Sequence, residues 1–327
     1  MRVIFKSPVI LRYQASFSTF QRAGYTCEDA ERIMLKSVKL ADEARKRFIQ
    51  EQEGVNSDDV QIALSLGSYG STLFPAQEYD GFYPPPYGPK VFSDEGENCN
   101  AFEDGVAAEN SVTALAQFHL ERLQVFSRSP EAWTTIDCFA LETVPLAREV
   151  KAIRTAFGLL RKEMSEDHTM KPWWISLAFP YNRFSETQFP GGQNLSVRQV
   201  AEVALCNESP SHPLPSGIGL NCMQTDYLPG LLSRLQEAVD DIFEKGTTRP
   251  WLVMYPNGGD VYDPVSRTWK IRAAAGKADA WAEELGEIVD DAARRRTWSG
   301  VLVGGCCRTG PDEISALSRR LSYTHRK

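Results

Sequence analysis

Short apolar runs recur along the chain, each followed by a loop and then by a stretch where apolar residues return every three or four positions. The runs are residues 9–17 (VILRYQASF), 61–66, 135–141, 173–179, 217–221, 251–255 and 300–303. Their β-branched and aromatic content predicts strands buried on both faces. The stretches between them predict helices. Residues 27–50 place Ala30, Ile33, Met34, Val38 and Ala41 on one face, and residues 105–127 do the same with Val112, Leu115, Phe118, His119 and Leu123. Further helical periods cover 145–164, 197–206, 228–243, 278–296 and 311–321. Pro145 and Pro311 are expected in first turns, where a missing N–H costs nothing.

Strict alternation of strand and helix predicts parallel strands. Seven units fill the 327 residues without a linker. The expectation is one α/β domain over residues 1–327, a (β/α)8 barrel one unit short of the full count. A doubly wound open sheet would carry a glycine-rich turn after its first strand. None follows residues 9–17, and Gly67-Ser68-Tyr69-Gly70 lacks the full fingerprint. A flavin or sugar-phosphate barrel would carry a glycine-rich phosphate loop late in the chain, but Gly304-Gly305 runs into cysteines instead.

Two insertions follow strand ends, which in a barrel is the face that carries active sites. Residues 71–104 are rich in aromatics and prolines, including Phe74, Tyr79, Phe82 and Pro84-Pro85-Pro86; residues 181–196 are shorter and polar. A long insertion of the first kind reads as a lid or as a surface excursion.

Composition narrows the function. Hydrophobic residues make up 42% and charged residues 24%, an ordinary globular mix. The net charge of −7 without a basic stripe argues against nucleic acid. No apolar run approaches the roughly 20 residues that span a bilayer, so no membrane partner is expected. The start, broken by Lys6 and Pro8, does not read as a signal peptide. Seven cysteines, an odd number, do not suggest a disulfide framework, and a reducing cytoplasmic setting is expected. The four histidines include no pair at helical spacing.

The candidate chemistry lies in Val303-Gly304-Gly305-Cys306-Cys307-Arg308, where adjacent cysteines end the last strand, and in Gly219-Leu220-Asn221-Cys222, where a third ends an earlier one. In a barrel these are alternate staves facing one mouth. Three thiolates meeting there match a zinc site with an open fourth position. Adjacent cysteines are equally a packed or redox-active pair, and Cys222 alone is equally a core residue. Cys27, Cys99, Cys138 and Cys206 read as structural.

These motifs are specific enough to carry a resemblance. Tyr13-Gln14-Ala15-Ser16, Leu64 to Gly70, Glu142-Thr143-Val144-Pro145, Gly219 to Cys222, Tyr255-Pro256-Asn257-Gly258-Gly259 and Gly304 to Cys307 resemble the homocysteine S-methyltransferase family. That family is related to betaine–homocysteine methyltransferase and to the homocysteine domain of cobalamin-dependent methionine synthase. The resemblance implies a (β/α)8 barrel and a catalytic zinc held by Cys222, Cys306 and Cys307. It implies Glu142 on the substrate amino group and Asn257 on the amino-acid end. By themselves, Glu142 is also a helix first-turn carboxylate and Asn257 a turn former. The implied reaction is methyl transfer from a sulfonium donor to homocysteine, making methionine. S-methylmethionine comes first as donor, S-adenosylmethionine second and betaine third. Zinc would deprotonate the thiol, so no separate general base is needed. Tyr69, Phe74, Tyr79 and Phe82 are expected to offer aromatic faces to the sulfonium.

The alternative is a catalytically impaired relative that keeps the barrel and its zinc or amino-acid binding. It arises because Tyr13 matches the end of the family's second strand, with few residues before it. A first βα unit with an Asp-Gly-Gly-type turn is expected there and is not seen. Residues 1–5 are not expected to replace that strand, because parallel neighbours need a crossover of about a dozen residues or more. A gap in the barrel wall beside Cys306 and Cys307, poor activity and low stability are the expectation.

Overall fold

The computed structural model describes residues 2–4, 13–164, 169–244, 246–263, 268–270 and 277–324. Along the chain these form β1 (Arg2–Ile4), α1 (Phe17–Arg22), α2 (Cys27–Glu51), β2 (Ala63–Gly67), α3 (Gly105–Ser127), α4 (Pro130–Thr135), β3 (Cys138–Val144) and α5 (Ala147–Glu163). They continue with β4 (Trp173–Leu177), α6 (Val197–Leu205), β5 (Gly217–Asn221), α7 (Leu228–Ile242), β6 (Trp251–Tyr255), β7 (Val261–Asp263), β8 (Thr268–Lys270), α8 (Lys277–Arg295), β9 (Gly300–Val303) and α9 (Pro311–Thr324).

The main sheet is parallel throughout, in the order β1-β9-β6-β5-β4-β3-β2. From β2 to β9 spatial order follows chain order, the sequential winding of a barrel. The sheet curls around its own inner face. Ala63 of β2, Cys138 and Ala140 of β3, Trp174 of β4, and Val253 and Tyr255 of β6 share one cluster, with Leu302 of β9 packed against it. Strands from opposite ends of the sheet can share a core only if it curls. The alternate residues, among them Leu64, Leu66, Phe139, Leu141, Ile175, Ile218, Leu220, Leu252 and Val301, face outward into the larger core beneath the helices. This two-sided burial is why the strands read as continuous apolar runs. Where β5 lies against β6 the backbones approach too closely for a side chain: a Cβ on Gly219 would fall 1.7 Å from the Val253 carbonyl oxygen.

Helix starts follow local chemistry. Thr26, Asp104, Ser129 and Ser196 accept hydrogen bonds from first-turn amides of α2, α3, α4 and α6. Pro311 opens α9 as expected, but α5 begins two residues after Pro145, with Leu146 as its cap.

Three expectations need correction. Residues 9–17 are not a strand where they are described: Tyr13 and Gln14 form a turn, and Ser16 caps α1. Residues 9–12 lie outside the described residues. The run at 135–141 is displaced, because α4 extends to Thr135 and β3 starts at Cys138. Residues 1–5 do supply a strand, since Arg2–Ile4 pairs in parallel with Gly300–Leu302. The crossover limit governs strands joined by a short connection; β1 and β9 are separated by nearly the whole chain. The antiparallel β7–β8 hairpin between β6 and α8 carried no recognised signal.

The two insertions cover the same end of the barrel. Asn100 donates from Nδ2 to the carbonyls of Asp80 and Ser185 at 2.8 Å each, and the Ser185 hydroxyl donates to the Tyr79 carbonyl. Arg148 at the start of α5 joins them, bonding Glu186 at 2.6 Å and the Asn100 carbonyl.

Candidate active site

The mouth is built where β5, β6 and β9 end. Their loops are stitched by backbone hydrogen bonds. Cys222 N–H donates to the Tyr255 carbonyl at 3.2 Å, Asn257 to Met223 at 2.9 Å, Gly304 to Met254 at 2.9 Å, Cys306 to Pro256 at 2.8 Å and Gly258 to Cys307 at 2.9 Å. The last contact requires glycine, since a Cβ on Gly258 would lie 2.1 Å from the Arg308 carbonyl oxygen. Cys222 and Arg308 take left-handed φ values of 53° and 64°, which turn the chain sharply on each side of the thiols. Arg308 is held by Asp260 at 3.5 Å and lies over the Trp269 ring.

The result is convergence of the predicted cysteines. The sulfurs of Cys222, Cys306 and Cys307 lie within 4.8 Å of one another, each partly buried. Cys222 and Cys306 are joined as a disulfide, and the Cys307 sulfur sits 3.9 Å from that of Cys222. This one bond lies inside the cluster and joins the ends of β5 and β9, 84 residues apart in the chain. Cys27, Cys99, Cys138 and Cys206 are free thiols. Three soft donors at this spacing fit a thiophilic ion, and reduction of the disulfide is the condition for all three to ligate. Burial first, and the negative charge of Glu78 second, push the Cys307 thiol up.

Beside this cluster, Glu142 points inward from β3. Its Oε2 accepts from the Ser65 hydroxyl at 2.6 Å, while its buried Oε1 has no partner. Burial pushes its pKa up to about 7, and hydrogen bonds from Ser65 and Tyr255 work the other way. Tyr255 is itself anchored by Trp174 Nε1 at 3.1 Å and by the Ser176 hydroxyl. The next residue, Thr143, has a φ of 55° at a break in register between β3 and β4. A β-branched residue is strained there. The buried Asn221 holds it, accepting from Thr143 N–H at 3.0 Å and donating to its hydroxyl at 2.7 Å. Asn257 is buried too; its backbone carbonyl accepts from Trp281 at 2.9 Å, and its side-chain Oδ1 has no partner.

Three of the four rings expected at the sulfonium have other surroundings. Tyr69 packs against Tyr83, Tyr87 and Phe118 in a side core, Phe74 is 95% exposed, and Phe82 stacks on Phe92. Residues given no role from sequence enter instead. Tyr13 lies against Gly67 at the end of β2, and its hydroxyl bonds toward Glu78. Ser65, Tyr255 and Asn221 all lie within or next to recognised motifs, but only their strand registers show which side chains face inward.

A sequence profile of the family described as Homocysteine S-methyltransferase matches residues 12–321. The chain belongs to the homocysteine S-methyltransferase family. Among relatives, homocysteine S-methyltransferase YbgG of Bacillus subtilis is 29% identical over 320 residues, covering 95% of this chain and 79% of its own. Homocysteine S-methyltransferase 1 of Brassica oleracea is 28% identical, covering 94% and 76%. The selenocysteine Se-methyltransferase of the same plant is 27% identical, covering 94% and 73%. In fold, the chain is similar to the metallated form of the Escherichia coli homocysteine methyltransferase MmuM. That structure gives a TM-score of 0.60 at 22% identity, over 95% of this chain and 78% of that one. Among the described residues, no helix of this family member is long and apolar enough to cross a membrane.

Proposed function

We propose that this chain is a zinc-dependent homocysteine S-methyltransferase that takes its methyl group from S-methylmethionine or S-adenosylmethionine. The observation that carries the reading is three converging thiols beside a buried carboxylate with one unpartnered oxygen. Zinc held by Cys222, Cys306 and Cys307 would supply the positive charge that deprotonates an incoming thiol near neutral pH. Glu142 Oε1 accepts the homocysteine ammonium, and this cation offsets the burial that keeps the carboxyl protonated. Ser65 and Tyr255 fix the carboxylate, and Asn221 fixes the bulge that aims it. The unpartnered Oδ1 of Asn257 receives a second polar group at the amino-acid end. With the substrate so oriented, its sulfur forms a bond to the donor methyl, and the donor leaves as a neutral thioether.

The test is methionine formation from homocysteine with each sulfonium donor, in reducing buffer, before and after zinc removal. Turnover that stops on chelation and returns with zinc is expected. No turnover with either sulfonium, or full activity in protein shown by elemental analysis to be metal-free, refutes the reading.

A further inference from the structure

The insertion after β2 carries one group that neither the thiol cluster nor the Glu142 site uses. Backbone bonds pin it to the strand end: Gln77 N–H donates to the Gly70 carbonyl at 2.9 Å, and Gly81 N–H donates to the Gln77 carbonyl at 2.9 Å. Between these ties stands Glu78. Its Oε2 is buried and has no hydrogen-bond partner. Among the described residues, the Tyr13 hydroxyl is the group that stabilises its charge, and no Lys or Arg does. Burial raises its pKa, as expected of a carboxylate withdrawn from water without a counter-ion. Tyr13 lies against Gly67, which pairs with Glu142 across β2 and β3, so this carboxylate stands at the same strand ends as the amino-group site.

A half-buried carboxylate with one buried, unpartnered oxygen is costly unless something binds it. The substrate ammonium is already accounted for by Glu142 on β3. The remaining cation of the proposed reaction is the donor. We infer that Glu78, with Tyr13 behind it, is the specificity-determining residue that receives the positive charge of the sulfonium donor at the mouth of the barrel. This inference rests on the sulfonium-donor reading above. It also accounts for a mouth where Tyr69 is sequestered in a side core and Phe74 is exposed, leaving a carboxylate as the feature that selects charge. The donor is a cation before transfer and a neutral thioether after it. The same carboxylate therefore favours donor entry and weakens its hold once the methyl has gone.

The experiment compares wild type, Glu78→Gln and Glu78→Asp, all zinc-loaded and reduced, with S-methylmethionine as the probe. Steady-state KM for each substrate, zinc content and thermal midpoint are measured for each protein. For Glu78→Gln the donor KM is expected to rise at least about tenfold, with homocysteine KM and zinc content within about twofold of wild type. Glu78→Asp, which keeps the charge, recovers most of the donor affinity. A Glu78→Gln enzyme with wild-type donor KM overturns the assignment of Glu78 alone. Equal loss of donor affinity in both variants, or an equal rise in homocysteine KM, shows a structural or acceptor-side role and also overturns it. A wild type that uses no sulfonium overturns the donor reading and this inference together.

Discussion

Glu142→Gln should stabilise the metal-free, substrate-free protein at alkaline pH and destabilise it slightly in acid. The native carboxyl has its pKa raised from 4.5 to about 7 by burial, so the folded state holds its proton more tightly than the unfolded chain. Below about pH 4.5 both states are protonated and the group costs nothing. Between 4.5 and 7 the unfolded chain has released its proton and the native one has not, so stability falls as pH rises. Above 7 the full penalty is present. At about 1.4 kcal/mol per pKa unit, the shift corresponds to about 3 kcal/mol. Gln keeps an acceptor for Ser65 but places an amide where Oε1 finds no partner, which returns about 1 kcal/mol. The net expectation is a gain of about 2 kcal/mol at pH 8 and a loss of up to about 1 kcal/mol near pH 4.5. Urea unfolding of both proteins at pH 4.5, 6 and 8, reduced and free of zinc, measures it. A difference that is the same at all three values, or a variant less stable at pH 8, refutes the account of Glu142 as a buried carboxylate awaiting a cation. The same variant should lose homocysteine affinity by roughly tenfold or more, since a charge-assisted bond is worth about 1.5–3 kcal/mol.

Cys222→Ser, Cys306→Ser and Cys307→Ser should each lose most bound zinc and all methyl transfer; stoichiometric zinc with turnover in any one of them removes that cysteine from the ligand set. Asn221→Ala should cost about 3 kcal/mol, because Thr143 loses two buried hydrogen bonds while holding a φ of 55°; a loss below about 1 kcal/mol in urea unfolding would show that the bulge stands without it. Arg122→Met should cost about 3–5 kcal/mol, since this buried side chain bonds the carbonyls of Ala15 at 2.9 Å, Gly67 at 2.7 Å and Tyr13 at 3.1 Å. An unchanged thermal midpoint would contradict that clamp.

Much of this was legible in the chain. Buried parallel strands must be apolar on both faces, so β2 through β6 and β9 announce themselves as short runs separated by helical periods. The thiols were legible because cysteines at two strand ends of a sequential barrel face one mouth, and the structure brings Cys222, Cys306 and Cys307 together. Local pattern failed where pairing depends on a distant partner. Arg2–Ile4 becomes a strand only because β9, some 300 residues on, offers it a free edge. Tyr13–Ser16 looked extended by composition, yet Ser16 caps a helix and Arg122 on α3 holds the preceding carbonyls. Side-chain partnership was invisible too. A Glu in a proline-rich insertion reads as solvated, and only the packing of that loop half-buries Glu78 and leaves its buried Oε2 without a partner. Periodicity decides which residues are apolar and where elements recur; which oxygen is left unpaired is decided by contacts between segments that the sequence keeps far apart.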